Sequence, residues 1–306
     1  MDYLWWSGKR VAWDEAQVHV TGIGWPALSA VFEGVRAYKS RDGRTTHLFR
    51  YDAHLERLWR SMRFMRLESP WSREELMAET AALIRANGVI DDLYVQPMAF
   101  AMGATRGLAA MADQPADIYI TTRVAPSALP HPKPETVAVS SWTRIHDNIL
   151  PPRIKAVVNY LNSRFAQSEA TRGGYDRALF LNSAGKVSEG GAECFFLVRD
   201  GVVATPPTTA GILESITRQS VMDLLRDALG IPVVEREIDR TETYFADEMF
   251  FVGTMHEIGP IRSVDGFDVP GGGPGPVTAA LLALFERVVR GQEPAYAHWL
   301  TPITLE

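Results

Sequence analysis

Residues 151–218 read PPRIKAVVNYLNSRFAQSEATRGGYDRALFLNSAGKVSEGGAECFFLVRDGVVATPPTTAGILESITR, and within them Lys155 stands between a loop and an otherwise apolar helix start. A cation placed there invites a chemical explanation. Glu189 follows 34 residues later (189 − 155), in VSEGGAECFF at the end of a predicted strand, so one stretch offers an amine and a carboxylate. Taken singly, neither is informative. A helix-start lysine ordinarily snorkels its head to water, and a lone glutamate ordinarily serves a turn or an edge strand. Their weight comes from the blocks of sequence around them.

At 306 residues the chain has room for two modest domains, each able to bury a core. Hydrophobic residues at 46% and charged residues at 22% are those of an ordinary soluble globular protein. A net charge of -6 and a pI near 5.7 argue against nucleic acid or an anionic membrane as partner. A single cysteine, Cys194, excludes an intrachain disulfide and a cysteine-cluster metal site, and suits a reducing compartment. The start, MDYLWWSGKRVAWDEA, lacks the basic and apolar regions of a signal peptide, and no apolar run reaches the roughly 18 to 20 residues of a membrane span. A cytoplasmic location is expected.

Tyr3 to Trp6 and Arg10 to Trp13 flank Ser7-Gly8-Lys9, and Ala30 to Ser40 and Thr45 to Arg50 flank Arg41-Asp42-Gly43-Arg44; both read as hairpins. Asp52 opens a helix with Leu55, Leu58, Trp59, Met62 and Met65 on one side. The arginines at 57, 60, 63 and 66 recur every three residues, and Arg60, Arg63 and Arg66 read as a solvated face. Ser72 with Glu75 predicts a capping box for a helix that stops at Asn87-Gly88. Strands at Leu93 to Ala101 and Ile118 to Val124 complete a small α+β domain over 1–124. The four prolines of APSALPHPKPE place a linker at 125–136, leaving 137–306 as a larger domain carrying Lys155.

In that second part the pattern predicts strands at Val137 to Trp142, Ala178 to Leu181, Val187 to Ser188, Cys194 to Arg199, Val202 to Thr205, Val233 to Ile238 and Met249 to Val252. Helices are expected after Lys155 through Ala170, from Thr217 to Leu229 and from Val277 to Val289, with a hairpin around Asp265-Gly266. Short strands and helices mixed in this way do not alternate as a doubly wound fold would.

Six blocks in order, VFEGVRAY (31–38), FRYDAHLERL (49–58), RIKAVVNYLNS (153–163), VSEGGAECFFLVRDGVVATP (187–206), GILESITRQSV (211–221) and ADEMFFVGTMHEIGPIRSVDG (246–266), give the chain its resemblance to a known family. It resembles the fold type IV pyridoxal phosphate enzymes, which include branched-chain aminotransferases, D-amino acid aminotransferases, (R)-selective amine transaminases and aminodeoxychorismate lyase. Among these it looks closest to the branched-chain aminotransferases. The resemblance implies an α/β (α+β), two-domain, D-amino acid aminotransferase-like fold with the cofactor in the cleft between domains.

It also implies roles. Lys155 matches the Schiff-base lysine, which also shuttles the substrate proton. Glu189 matches the carboxylate that keeps the pyridine nitrogen protonated, Tyr160 the tyrosine at the phenolic oxygen, and Arg57 the phosphate arginine. Ile216 and Thr217, at a helix start, and Gly253 with Thr254, in a second turn, complete the expected phosphate cradle. For the substrate the matching positions are Tyr94, Gln96, Thr254 and Met255, with Phe32, Trp142 and Met255 as an apolar wall.

Three positions depart from the family pattern. Gln96 replaces a usual arginine, Ala27 and its neighbours replace a usual tyrosine and glycine, and Cys194 replaces the asparagine that closes the glutamate-glycine motif. The resemblance implies amino transfer from a branched-chain or hydrophobic amino acid to a 2-oxo acid such as 2-oxoglutarate, and the three departures bear on substrate recognition. The alternatives are an (R)-selective amine or D-amino acid transaminase and, behind them, a lyase of the aminodeoxychorismate type or a non-catalytic pyridoxal phosphate-binding relative.

Partners are expected to be a small-molecule donor and acceptor and, as in family members, at least a second copy of the chain, with Met102 to Asp113 as the loop that completes a neighbour's pocket. No metal site is expected: the seven histidines form no HisGluXxxXxxHis pair, and His19 and His54 read as packed or capping histidines. Gly271 to Gly275 lacks the lysine and hydroxyl of a phosphate loop, and Gly185 to Gly190 places its serine one position late for a nucleophile elbow.

Overall fold

Leu93–Phe100, a strand of eight residues, alternates a core set, Val95 and Ala99, with an outward set, Gln96, Met98 and Phe100. A computed structural model describes residues 1–20, 23–88, 91–101 and 113–304, with 25 and 26 as backbone only. All of the expected partner loop Met102 to Asp113 except Asp113 lies outside the described residues. The chain forms two compact units.

Unit 1 comprises Met1–Ser127, Ile154–Val158 and Val288–Glu306. Its strands are β1 (Tyr3–Trp6), β2 (Lys9–Ala12), β3 (Val31–Phe32), β4 (Val35–Lys39), β5 (Thr45–Phe49), β6 (Leu67–Glu68), β7 (Leu93–Phe100), β8 (Gln114–Pro115) and β9 (Asp117–Val124). The helices are α1 (Gly24–Ser29), α2 (Tyr51–Phe64) and α3 (Arg73–Asn87). The C-terminal strand Leu300–Thr304, here β19 because nine strands intervene, pairs antiparallel with β5 along all five residues. The main sheet runs β19-β5-β4-β7-β9-β1-β2, with β3 on β7, while β6 and β8 pair separately.

Leu55, Leu58 and Met62 of α2 and Leu76, Leu83 and Ile84 of α3 bury against Val35, Leu48, Val95 and Ile118 of the sheet. The capping box at Ser72 and Glu75 is present, and Gly88 ends α3 at φ 62°. Ser7 and Gly8, at φ 43° and 89°, turn the first hairpin as expected. Arg60, Arg63 and Arg66 are exposed and Arg57 is not.

Unit 2 comprises Ala128–Arg153 and Asn159–Arg287. It contains β10 (Glu135–Thr143), β11 (Arg177–Leu181), β12 (Val187–Gly190), β13 (Cys194–Arg199), β14 (Val202–Thr205), β15 (Val233–Glu235), β16 (Glu248–Gly253), β17 (Glu257–Val264) and β18 (Phe267–Asp268). The strand order is β12-β11-β10-β17-β16-β13, and β12 pairs back onto β13, so six strands close on themselves. Closure removes the unpaired edges that an open sheet leaves. Val137, Leu179, Val187, Phe195, Leu197, Phe251 and Ile261 form one buried cluster within this unit.

α4 (Tyr160–Arg172) lies on β10 and β11 through Ala166, Ala170, Ala178 and Phe180. α5 (Ile216–Asp223) follows, and α6 (Pro276–Val289) starts where Glu248 accepts the N–H groups of Val277 and Thr278.

The units depart from the expected division at two places. Ile154–Val158 and the last residues, Val288–Glu306, both assigned by sequence to the larger domain, belong with unit 1. The first makes an antiparallel bridge from Ala156 to Val31, and the second supplies β19 beside β5. The helix expected from Thr217 to Leu229 is α-helical to Asp223 and then makes one π turn, Leu224–Ala228, before Gly230.

Leu197, with none of its surface exposed, should lose about 2–5 kcal/mol of stability on Leu197→Ala, whereas half-exposed Leu161→Ala should stay within about 0.5 kcal/mol. Urea unfolding followed by circular dichroism checks both; equal shifts would mean that the six-stranded cluster is not a packed core.

Candidate active site

Lys155 is not part of a helix. It sits in an extended link ahead of the 3-10 turn Val157–Asn159, and α4 begins only at Tyr160. Both its backbone groups are tied within unit 1: its N–H donates to Ser61 Oγ at 3.3 Å, and its carbonyl accepts from the Phe32 N–H at 3.1 Å. The amine Nζ lies 4.9 Å from the centroid of the Phe32 ring. An apolar neighbour, Ala156, is buried in the unit 1 core, so the link is anchored on both sides of the lysine.

Arg57 faces inward from α2 and grips Glu33 with a two-pronged contact, Nε to Oε1 at 2.7 Å and Nη2 to Oε2 at 2.8 Å. His54, three residues earlier on the same helix face, reaches Oε2 from Nδ1 at 2.7 Å. Burial alone would raise the Glu33 carboxyl; the Arg57 charge, then the hydrogen bonds from Arg57 and His54, outweigh it and hold it at about 2. Burial depresses the His54 imidazole below its ordinary value, Glu33 pulling the other way and the charges of Arg57 and Lys155 adding to the depression. An ionised Glu33 can only accept, so the neutral imidazole carries its proton on Nδ1.

Gly34 follows Glu33, and a Cβ there would fall 2.0 Å from the Tyr94 hydroxyl. Only glycine admits that tyrosine. Tyr94 stands in register between Arg36 and Arg123, with the Arg123 guanidinium 4.7 Å from its ring centroid. Gln96, two residues along the same strand, lines a cavity of about 560 Å³ in unit 1 with Trp13, Ala27, Met98, Tyr119 and Val157. Two of the positions that depart from the family pattern, Gln96 and Ala27, therefore share one apolar cavity, and Val157 carries its wall to within two residues of Lys155.

In unit 2, Glu189 lies on β12 and is buried. Its Oε1 is 2.5 Å from Arg144 Nη2, and its Oε2 accepts the Leu213 N–H at 3.2 Å. The Cys194 thiol lies 3.9 Å from the same Oε2. Arg144 is itself buried and is fixed by the Gly211 carbonyl at 3.2 Å and Ser163 Oγ at 3.4 Å. Ser163 is one turn beyond Tyr160 on α4, which puts Tyr160 on the face that serves Arg144.

Ser215 caps α5 by accepting the Arg218 N–H, and the first amides of the helix belong to Ile216 and Thr217. A helix start of this kind favours an anion. Gly253 ends β16, and Thr254 and Met255 form the turn to β17, with Met255 exposed at its tip. A Cβ on Gly253 would come 3.1 Å from the Ala192 carbonyl, so this turn packs against the turn that follows Glu189. Trp142 instead stacks on Phe165 of α4 at 4.8 Å and is about half exposed.

Each unit's chemistry suits a part of pyridoxal phosphate: unit 1 offers a lysine amine and a guanidinium suited to a phosphate, and unit 2 a helix start suited to a phosphate and a buried carboxylate suited to a ring nitrogen. The sequence reading missed two members, Glu33, which orients Arg57, and Arg144, which orients Glu189; His54, expected as a packed or capping histidine, is buried and supports Glu33. The visible signal for Glu33 was a charge inside the apolar block VFEGV, whereas Arg144, in SSWTRIHD, has no such local mark. Among the described residues no group of three or more His, Cys, Asp or Glu side chains gathers as a metal site would need.

Residues 30–264 match the family described as amino-transferase class IV. The chain is 37% identical to a branched-chain-amino-acid aminotransferase of Pseudomonas aeruginosa, covering 97% of this chain and 96% of that one. It is also similar to the pyridoxal phosphate-containing crystal structure of a branched-chain amino acid aminotransferase from Thermobaculum terrenum, with 44% identity, a TM-score of 0.95 and coverage of 99% and 98%. A third match, at 40% identity, a TM-score of 0.91 and coverage of 98% and 99%, is the crystal structure of a branched-chain aminotransferase from the archaeon Thermoproteus uzoniensis with norvaline.

The stabilisation from Glu33, whose folded carboxyl is held at about 2, is complete above about pH 4.5 and is lost as pH falls toward 2. Glu33→Gln leaves Arg57 buried without its counter-charge and should cost about 3–5 kcal/mol at pH 7. The deficit relative to wild type should shrink between pH 4.5 and 2. Urea titrations at pH 7, 4 and 2.5 test this, and a deficit that does not change with pH would remove the ion pair from the account.

Proposed function

The chain belongs to the amino-transferase class IV family, and from that premise we propose that it moves an amino group from a branched-chain or other hydrophobic amino acid to a 2-oxo acid such as 2-oxoglutarate, with pyridoxal phosphate as cofactor. The observation that carries this reading is Lys155, held by both backbone groups and set against Phe32 in the unit that also holds the buried Arg57. When bound, the cofactor supplies an electron sink for the carbon that loses its proton.

The chain's own residues do the rest. Unit 1 would supply Lys155, to hold the cofactor and to take and return the proton of the substrate α-carbon at Nζ, and Arg57, to bind phosphate. Unit 2 would supply Glu189 at the ring nitrogen, Tyr160 at the phenolic oxygen, and the amides of Ile216 and Thr217 with Gly253 and Thr254 for the phosphate. Tyr94, Thr254 and Met255 would receive the substrate carboxylate. Phe32 and the cavity lined by Gln96 would receive its side chain; Trp142, stacked on Phe165, would join that wall only by leaving its stack. In two half-reactions the donor leaves as its oxo acid and the acceptor leaves as an amino acid.

One observation favours a second reading. Gln96 and Ala27 together leave the cavity uncharged and without an aromatic wall at position 27, which suits an (R)-amine or D-amino acid donor. The protein would act at least as a homodimer, supported by exposed Trp13, Val18, Val20, Ile23 and Leu28 in one segment of unit 1. A cytoplasmic, reducing compartment suits its one buried cysteine, Cys194.

Lys155→Ala should abolish turnover of L-leucine with 2-oxoglutarate while leaving the circular dichroism spectrum unchanged; turnover at the wild-type rate would end this assignment. Gln96→Arg should lower the KM for 2-oxoglutarate by about tenfold through a new charge-assisted contact with its second carboxylate. An unchanged KM would take position 96 out of the acceptor's reach. Wild-type turnover of (R)-1-phenylethylamine in place of L-leucine would select the second reading.

A further inference from the structure

The turn between β16 and β17 carries a histidine that neither the reaction nor the cofactor set uses. His256 Nδ1 lies 3.4 Å from Arg177 Nη2, and its Nε2 lies 3.0 Å from Glu135 Oε2, though off the line of a good hydrogen bond. A guanidinium can only donate, so Nδ1 accepts from Arg177 and Nε2 carries the proton toward Glu135. Arg177 in turn donates from Nε to Glu135 Oε1 at 3.0 Å and places Nη1 3.6 Å from Glu193 Oε1. Glu193 belongs to the neighbouring turn, where its Oε2 accepts the Ala192 N–H and its carbonyl accepts the Gly190 N–H.

The backbone has been shaped to this contact. A Cβ on Gly259 would fall 1.9 Å from His256 Nε2, so the imidazole lies across β17 only because position 259 is glycine. The next residue, Glu257, adopts φ 57°, a left-handed conformation unfavourable to a residue with a side chain, while its carboxylate accepts the Ala128 N–H at 2.7 Å. The turn of Thr254 and Met255 is thus gripped at two successive residues.

We propose that His256, through Glu135 and Arg177, is a positioning residue that sets the Thr254–Met255 turn for the substrate carboxylate and locks it to the turn that follows Glu189. This inference rests on the functional reading above for the identity of the ligand, but not for the mechanical claim. Displacing a binding amide by about 1 Å can cost on the order of 10²-fold, and partial release of the turn should cost about tenfold.

The test uses the full-length holoenzyme and three variants, His256→Ala, His256→Gln and Glu135→Gln. His256→Ala should raise the KM for L-leucine about tenfold with kcat within about twofold. It should weaken calorimetric binding of 4-methylpentanoate, a leucine-sized carboxylate without the amine, by the same factor. His256→Gln, which keeps a donor and an acceptor, should recover most of the loss. Glu135→Gln serves where His256→Ala does not fold, with the same KM-against-kcat split expected. Amide hydrogen exchange across residues 253–257 should also rise about tenfold. Unchanged carboxylate binding in the variants, or loss of kcat and KM together without rescue by glutamine, overturns the proposal. A wild-type protein that turns over no amino acid would sink the functional reading instead, and the exchange measurement alone then decides whether His256 holds the turn.

Discussion

A guanidinium taken out of water must keep its charge and its hydrogen bonds satisfied, and in unit 1 the Arg57–Glu33 pair meets that demand. The pair ties α2 to the short segment between β3 and β4. Burial, with the charges of Arg57 and Lys155 adding to it, depresses the His54 imidazole, which shares that face as a neutral group. Gly34, next in the chain, then admits Tyr94 at a distance that any side chain would block. The backbone of Lys155 joins this arrangement through Ser61, on α2, and Phe32, beside Glu33. One buried ion pair therefore fixes where the amine starts, and removing either partner would leave a buried charge without its counter-charge.

Unit 2 solves a different problem. Six of its nine strands close into a ring, so the turns that join neighbouring strands of the ring stand on a closed scaffold. Two of those turns carry chemistry-bearing residues: β12 to β13 follows Glu189, and β16 to β17 contains Thr254. Glycine at 259 admits His256 at a distance a Cβ would forbid, and glycines at 190 and 253 let the turns pack closely. Glu189 is a buried carboxylate with a buried arginine on one oxygen and a backbone N–H on the other. Such a group keeps its place because every polar atom around it has been oriented before a ligand arrives.

The Gln96 and Ala27 departures acquire a shared meaning from unit 1. Far apart in sequence, they line one cavity, so the loss of a charge and the loss of an aromatic wall act on the same space. Cys194 is a separate matter: its thiol lies beside the Glu189 carboxylate, in the other unit, and so bears on that carboxylate rather than on the cavity lined by Gln96.

What the sequence determined by itself were the features written in local chemistry. The capping box at Ser72 and Glu75, the hairpin turn at Ser7-Gly8, the strand Cys194–Arg199 and the solvated Arg60, Arg63 and Arg66 each depend on neighbours a few residues away. The six blocks likewise carried the family, because the residues that hold a cofactor recur in fixed local contexts. Only the tertiary structure decided the rest. The return of β19 to β5, the placing of Ile154–Val158 with unit 1, the pairing of Glu33 with Arg57 and of Arg144 with Glu189, and the grip on His256 all join residues distant in the chain. Hydrophobic period and capping signals decay within a turn or two of backbone, whereas a buried charge is answered by whichever partner the packed fold brings to it.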